Sequence, residues 1–241
     1  MRFAALLFLA LTAFVQAADE PTAGPAIREV EPGVFEIGKI RLRQLEKTVS
    51  FPAKVNKSGA DDVLEYLLVN ERGQTHESLL FTDIEPSDLH FALLLLGVKG
   101  GGKDLKPEQL GGGQITEEFL KHAPQLQGEG ILLTATWKAA DGKERTAPIE
   151  DWIFNRKTKR PMTRGPWLYT GSSFLEGRFR AQQEGCFAAL VTYPPALINN
   201  PRPGNAEDDI WSVNAKVVPP LETPLTLTIQ LAAPTPAPPE K

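Results

Sequence analysis

The sequence predicts an α+β fold: a β-rich single domain with a mostly antiparallel sheet and one buried helix at about residues 86–96. Three observations carry this reading. Short stretches rich in β-branched and aromatic residues recur between turn residues, as strands do. One stretch, Asp83 to Gly97, departs from that spacing and carries helix start and stop signals. With 41% hydrophobic residues in 241, the chain can bury a core and does not demand a second domain.

At the N-terminus, Arg2 precedes an apolar run from Phe3 to Val15, and Val15-Gln16-Ala17 suits a signal peptidase. The run holds 13 residues, short of the roughly 20 that span a bilayer, so residues 1–17 are expected to be a cleaved signal peptide. The mature chain then begins at Ala18, exported to the periplasm or beyond, with no membrane span after cleavage. Residues 18–33, rich in Pro, Gly and acids, are expected to be a flexible segment ahead of a domain over 34–231. Residues 232–241 form a Pro/Ala-rich tail that cannot build a core.

Within the first half, FEIGKIRLR, KTVSFPAKV and VLEYLLVN read as strands. Glu71-Arg72-Gly73-Gln74 reads as a hairpin turn that returns the chain as the strand THESLLFTD. In the helical stretch, Pro86 suits a first turn, Glu85 and Asp88 suit the positive end of the dipole, and Gly97 is a natural stop. DLHFALLLLG is apolar on nearly every side, which places the helix between layers of the core. Two glycine triplets follow, at 100–102 and 111–113, without the spacing of a phosphate loop.

The second half reads as strands GILLTATWKA, RTAPIEDWIF, GPWLYTGSSF, GCFAALVTY and TPLTLTIQL, with an Asp-Gly turn between the first two. The stretch from Pro194 to Pro220, punctuated by Pro, Asn and Gly, reads as an ordered irregular segment around DDIW. Cys186 is the sole cysteine, so no intramolecular disulfide can form, and its place in EGCFAALVTY suits a small buried hydrophobe.

The charge balance, 26 Lys+Arg against 30 Asp+Glu with both signs mixed along the chain, gives no reason to bind nucleic acid. One basic run, Arg156, Lys157, Lys159, Arg160 and Arg164, stands near Trp152, Trp167 and Tyr169. Together they are a candidate surface for an anionic partner, with an aromatic platform beside the cations. The competing reading is a solvated hairpin loop.

Chemistry, if present, centres on His76, Glu77 and Ser78, with His90 on the helix nearby and Ser172 in the turn TGSSF. A nucleophilic serine needs a base within hydrogen-bonding reach and donors for an oxyanion, and GxSxG is missing. A zinc site needs three or four converging ligands, and HExxH and CxxC are missing. Strand alternation would separate His76 and Ser78 from Glu77. Hydrogen-bonded structural roles for these side chains are the competing account, and no cofactor is expected.

The segments at 64–101, 148–174 and 194–211, with HES feeding LHFALLLLG as their most specific element, resemble the YdjY-domain family of exported bacterial proteins, of planctomycete and verrucomicrobial type. The resemblance covers about residues 35–231 and implies export and this domain, while supplying no catalytic residue. His76, Glu77, Ser78, Gly171 and Ser172 match its pattern. Some relatives bear a ferredoxin-type label, which one cysteine cannot support here, since a cubane cluster generally takes four.

The resulting expectation is a binding domain for an envelope component or another exported protein. The alternative is a metal-dependent or serine hydrolase acting on an envelope polymer or small ester around His76, Glu77 and Ser78.

Overall fold

The computed structural model describes residues 26–100 and 126–232. An antiparallel meander comes first: β1 (Ile27–Glu31), β2 (Val34–Ile37), β3 (Ile40–Arg43) and β4 (Thr48–Val55). There follow β5 (Tyr66–Asn70), β6 (Ser78–Thr82), helix α1 (Pro86–Leu95), β7 (Glu129–Lys138), β8 (Glu144–Pro148), β9 (Ile153–Asn155), β10 (Arg160–Pro161) and β11 (Trp167–Tyr169). The chain continues through β12 (Phe174–Leu175), β13 (Arg178–Phe179), helix α2 (Arg180–Glu184), β14 (Cys186–Ala189), β15 (Ile198–Asn199), β16 (Trp211–Val213) and β17 (Pro224–Leu231).

The main sheet closes on itself. β4, β17, β7, β11, β15, β14, β5 and β6 pair in that order, and β6 pairs back to β4 through Lys54↔Phe81 and Val55↔Leu80. β4 can hold both neighbours on one edge because Thr48–Ser50 faces β3 while Lys54 and Val55 face β6. The result is an eight-strand barrel with the β1–β3 meander as an extension, and closure removes edges that would otherwise pair with other chains. The expected sheet is therefore present, β-rich with few helices, but as a barrel rather than an open layer.

Alternation builds the interior. Val49, Phe51, Ala53 and Val55 of β4, Ile131, Leu133 and Ala135 of β7, and Leu225, Leu227 and Ile229 of β17 belong to one core cluster. Each large aliphatic side chain fully buried there stabilises the fold by about 1.5–3 kcal/mol. The rings of Phe51 and Phe187 stack within this core, 6.5 Å apart. β5 and β14 are buried on both faces, and their second face forms a smaller cluster of Tyr66, Val69, Cys186, Ala189 and Ala196. Cys186 is buried as expected, and its thiol is pushed well above the ordinary range by that burial.

Four sequence expectations change here. Residues 71–77 do not make a hairpin: β6 runs parallel to β5, as β15 runs parallel to β14. Residues 27–31 are paired with β2 rather than irregular. RTAPIEDWIF is broken after Pro148 by a 3-10 turn over Ile149–Trp152, which separates β8 from β9. Helix α1 is not wrapped by core on all sides: it buries Pro86, Leu89, Ala92 and Leu93, while Leu94 and Leu95 are exposed.

The start and stop of α1 follow the sequence signals. Pro86 opens the first turn, and Gly97, at φ 82°, takes the left-handed position that ends it. The Gly97 and Val98 amides return to the Leu94 and Leu93 carbonyls, and Val98 is buried. Just beyond, Gly100 bridges Gly128 in antiparallel fashion, and Glu129 N–H donates to the Lys99 carbonyl at 3.2 Å.

Candidate functional site

The small sheet β10-β9-β16 lies beside the barrel and makes the floor of a cleft. Register places Phe154 of β9 between Ser212 of β16 and Pro161 of β10. Phe154 can face the cleft because Ile153 and Asn155, its neighbours in β9, are the buried ones. Two turns supply the walls. The β9–β10 turn is pinned by Thr158 N–H donating to Asn155 Oδ1 at 2.9 Å, and Lys159 holds a left-handed φ of 56°. The turn after β16 is pinned by Asn214, whose Nδ2 donates to the Asp151 carbonyl at 2.8 Å.

The cleft measures about 650 Å³ and is lined by Arg156, Lys159 and Lys216 with no carboxylate among its lining residues. None of these three cations makes an ion pair among the described residues. Ser212 also lines it, and its buried hydroxyl has no hydrogen-bond partner among the described residues. An unpaired buried hydroxyl is costly, which makes Ser212 a donor in want of an acceptor.

The basic run seen in the sequence thus divides. Arg156 and Lys159 reach the cleft, and Arg160 is exposed beside them. Lys157 pairs with Glu207 at 2.6 Å, a contact that raises its pKa, and Arg164 binds both oxygens of Asp151 at 2.7 Å. Lys216 was not legible as a partner, because it joins the site from 56 residues further along the chain than Arg160 and carries no local motif.

The expected aromatic platform is overturned. Trp152, Trp167 and Tyr169 are 1%, 0% and 0% exposed and belong to the core. Trp167 Nε1–H donates to Glu150 Oε1 at 3.0 Å, and the Arg202 guanidinium lies over its ring at 5.1 Å. Arg202 Nη2–H also donates to Glu150 Oε1 at 2.8 Å, so the indole beside a cation serves a buried ion pair rather than a surface. The aromatic residue at the cleft is Phe154 instead.

His76 and Glu77 sit in a 3-10 turn ahead of β6, not on the strand, and their side chains approach to 3.6 Å in solvent. Ser78 opens β6, is fully buried, and its hydroxyl donates to the Leu80 carbonyl at 2.7 Å. His90 lies beyond the other end of β6, on α1, so the structure does not bring His76 and His90 together. The His90 ring packs on Phe179 at 4.8 Å, with its Nδ1 2.6 Å from the Tyr169 hydroxyl. Burial lowers the His90 pKa. Among the described residues, no three His, Cys, Asp or Glu side chains converge as a metal site would require.

Ser172 is buried at a left-handed φ of 64°, donates to the Pro195 carbonyl at 2.5 Å and accepts from Ala181 N–H at 3.0 Å. Both of its hydrogen-bonding directions hold the turn between β11 and α2, which is the structural role weighed for it in the sequence. The first 25 residues, including the expected signal peptide, lie outside the described residues, as do residues 101–125 and 233–241.

No curated protein and no solved structure matches the chain. The family model described as the YdjY domain matches residues 40–230, which spans the barrel, α1 and the cleft, and the chain therefore belongs to the YdjY domain family.

Proposed function

We propose that this protein is an exported binding domain that holds an anionic component of the cell envelope, or an exported partner bearing such a group, in the cleft beside β9, β10 and β16. The observation that carries this reading is the convergence of Arg156, Lys159 and Lys216 on one cavity with no lining carboxylate. Three like charges held together by two turns repel one another, and an anion relieves that repulsion. The hydrolytic reading has no such support, since the Ser78 hydroxyl is buried and already committed to Leu80.

Co-sedimentation with isolated envelopes tests the binding reading. The native chain is expected to pellet with envelopes at low salt and to be released as salt screens the contact, while a variant with Arg156, Lys159 and Lys216 all changed to Ala stays in solution. Equal sedimentation of the two proteins overturns the assignment. Export is tested separately by the mass of the protein recovered outside the cytoplasm, which should begin at Ala18.

A further inference from the structure

Resting on that reading, we infer that the ligand of the cleft is a small amphiphilic anion, a single carboxylate or phosphate head on an apolar body, rather than a polyanion. The cations define the head site. Arg156 and Lys159 come from the β9–β10 turn and Lys216 from the turn after β16, so the positive charge is gathered at one place.

Along the basic run it extends only as far as the exposed Arg160. Lys157 is neutralised by Glu207 and Arg164 by Asp151, two acids that interrupt the track a polymer backbone would follow. The rest of the lining is largely apolar: Phe154, Pro161, Val213 and Val217 line the cleft, and Val217 is 49% exposed. An apolar wall beside three cations suits a molecule with the same division of character. The volume, about 650 Å³, falls in the range of small-molecule sites, roughly 300–1,000 Å³.

The test is isothermal titration of the full chain with five probes: decanoate, decyl phosphate, neutral decyl glucoside, inorganic phosphate and poly-L-glutamate, the alkyl compounds as monomers. Expected is saturable binding of one decanoate or decyl phosphate per chain, with binding of decyl glucoside and inorganic phosphate at least tenfold weaker. Arg156→Ala with Lys159→Ala should weaken the alkyl anions at least tenfold. Val217→Asp, at an exposed position, should weaken them while leaving the melting temperature in place.

Binding of poly-L-glutamate without binding of either alkyl anion overturns the amphiphile inference and leaves the anion-binding reading standing. Equal binding of decyl glucoside and decanoate overturns both, because the cations would then play no part. Failure of all five probes against a folded chain also overturns both.

Discussion

The hydroxyl of Tyr169 lies 2.6 Å from Nδ1 of His90, tying the last residue of β11 to helix α1. Burial raises the phenol pKa and lowers that of the imidazole, so both groups are neutral near pH 7. The phenol keeps its proton and has no other partner among the described residues, which makes it the donor and Nδ1 the acceptor. Tyr169→Phe removes the donor and leaves a half-buried nitrogen unpaired. A loss of about 1–2 kcal/mol is expected, read as a lower urea midpoint at an unchanged slope.

The same pair sets a pH dependence. His90 has a folded pKa below its ordinary 6.5, so the unfolded chain binds more protons in that interval and stability falls as pH drops through it. Glu65 and Asp88 are raised, mainly by burial, and work in the opposite sense, losing stability as pH rises through their folded values. Comparing variants isolates the histidine. In His90→Gln, the melting temperature at pH 7.5 minus that at pH 5 should be lower than in the native chain; an unchanged value shows that His90 contributes no such linkage.

Glu150 and Arg202 form a buried ion pair whose side chains are 3% and 10% exposed. Desolvation lowers the Arg202 pKa and the neighbouring carboxylate opposes that shift. Removing one partner of such a pair costs about 3–5 kcal/mol. Glu150→Ala should fall at the lower end, because Arg202 still donates to the Thr163 and Gly165 carbonyls. Glu150→Gln keeps an acceptor for Trp167 and should cost less. Denaturant midpoints of the two variants check the order.

Lys47 sits in the β3–β4 turn at a left-handed φ of 52°, with its side chain exposed. The Cβ atom is strained there, and glycine is free of that strain. Lys47→Gly is expected to raise stability by up to about 1 kcal/mol, read as a higher melting temperature.

Gly128 has the opposite sensitivity. A Cβ at this position would lie 2.1 Å from the Tyr169 carbonyl oxygen and 2.7 Å from its carbon, both backbone atoms. Gly128→Ala must therefore displace β11 or the incoming strand, at a cost of about 1–3 kcal/mol. Because Tyr169 also carries the bond to His90, the near-ultraviolet circular dichroism of its ring should change with the stability.

The alternation is clearest in strands with one wet face, although VLEYLLVN and GCFAALVTY, which form β5 and β14, also read as strands. In β4, β7 and β17, Val49, Phe51, Leu133, Ala135, Leu225 and Leu227 alternate with exposed or half-exposed residues, and the period announces the strand. β5 and β14 are buried on both faces, so an unbroken run of buried residues replaces the alternation there. The turn chemistry of Glu71–Gln74 signals a change of direction but carries no information about parallel return. Closure through Lys54↔Phe81 is a long-range pairing with no local signature.

At the site, sequence found Arg156 and Lys159 because charge clusters are visible in one dimension. It expected Trp152, Trp167 and Tyr169 to form a platform beside those cations because they stand near them along the chain, which says nothing of where their polar handles point. Those handles are instead satisfied internally where partners are known: Trp167 by Glu150 and Tyr169 by His90.

The Gly100–Gly128 bridge brings together two residues 28 positions apart in the chain. Joining two fixed points costs closure entropy that rises slowly with the number of residues between them, about 0.6 kcal/mol for each doubling. Residues inserted between these two glycines are therefore expected to cost the barrel little. The same point is a natural port at which a reporter domain could be spliced into the protein.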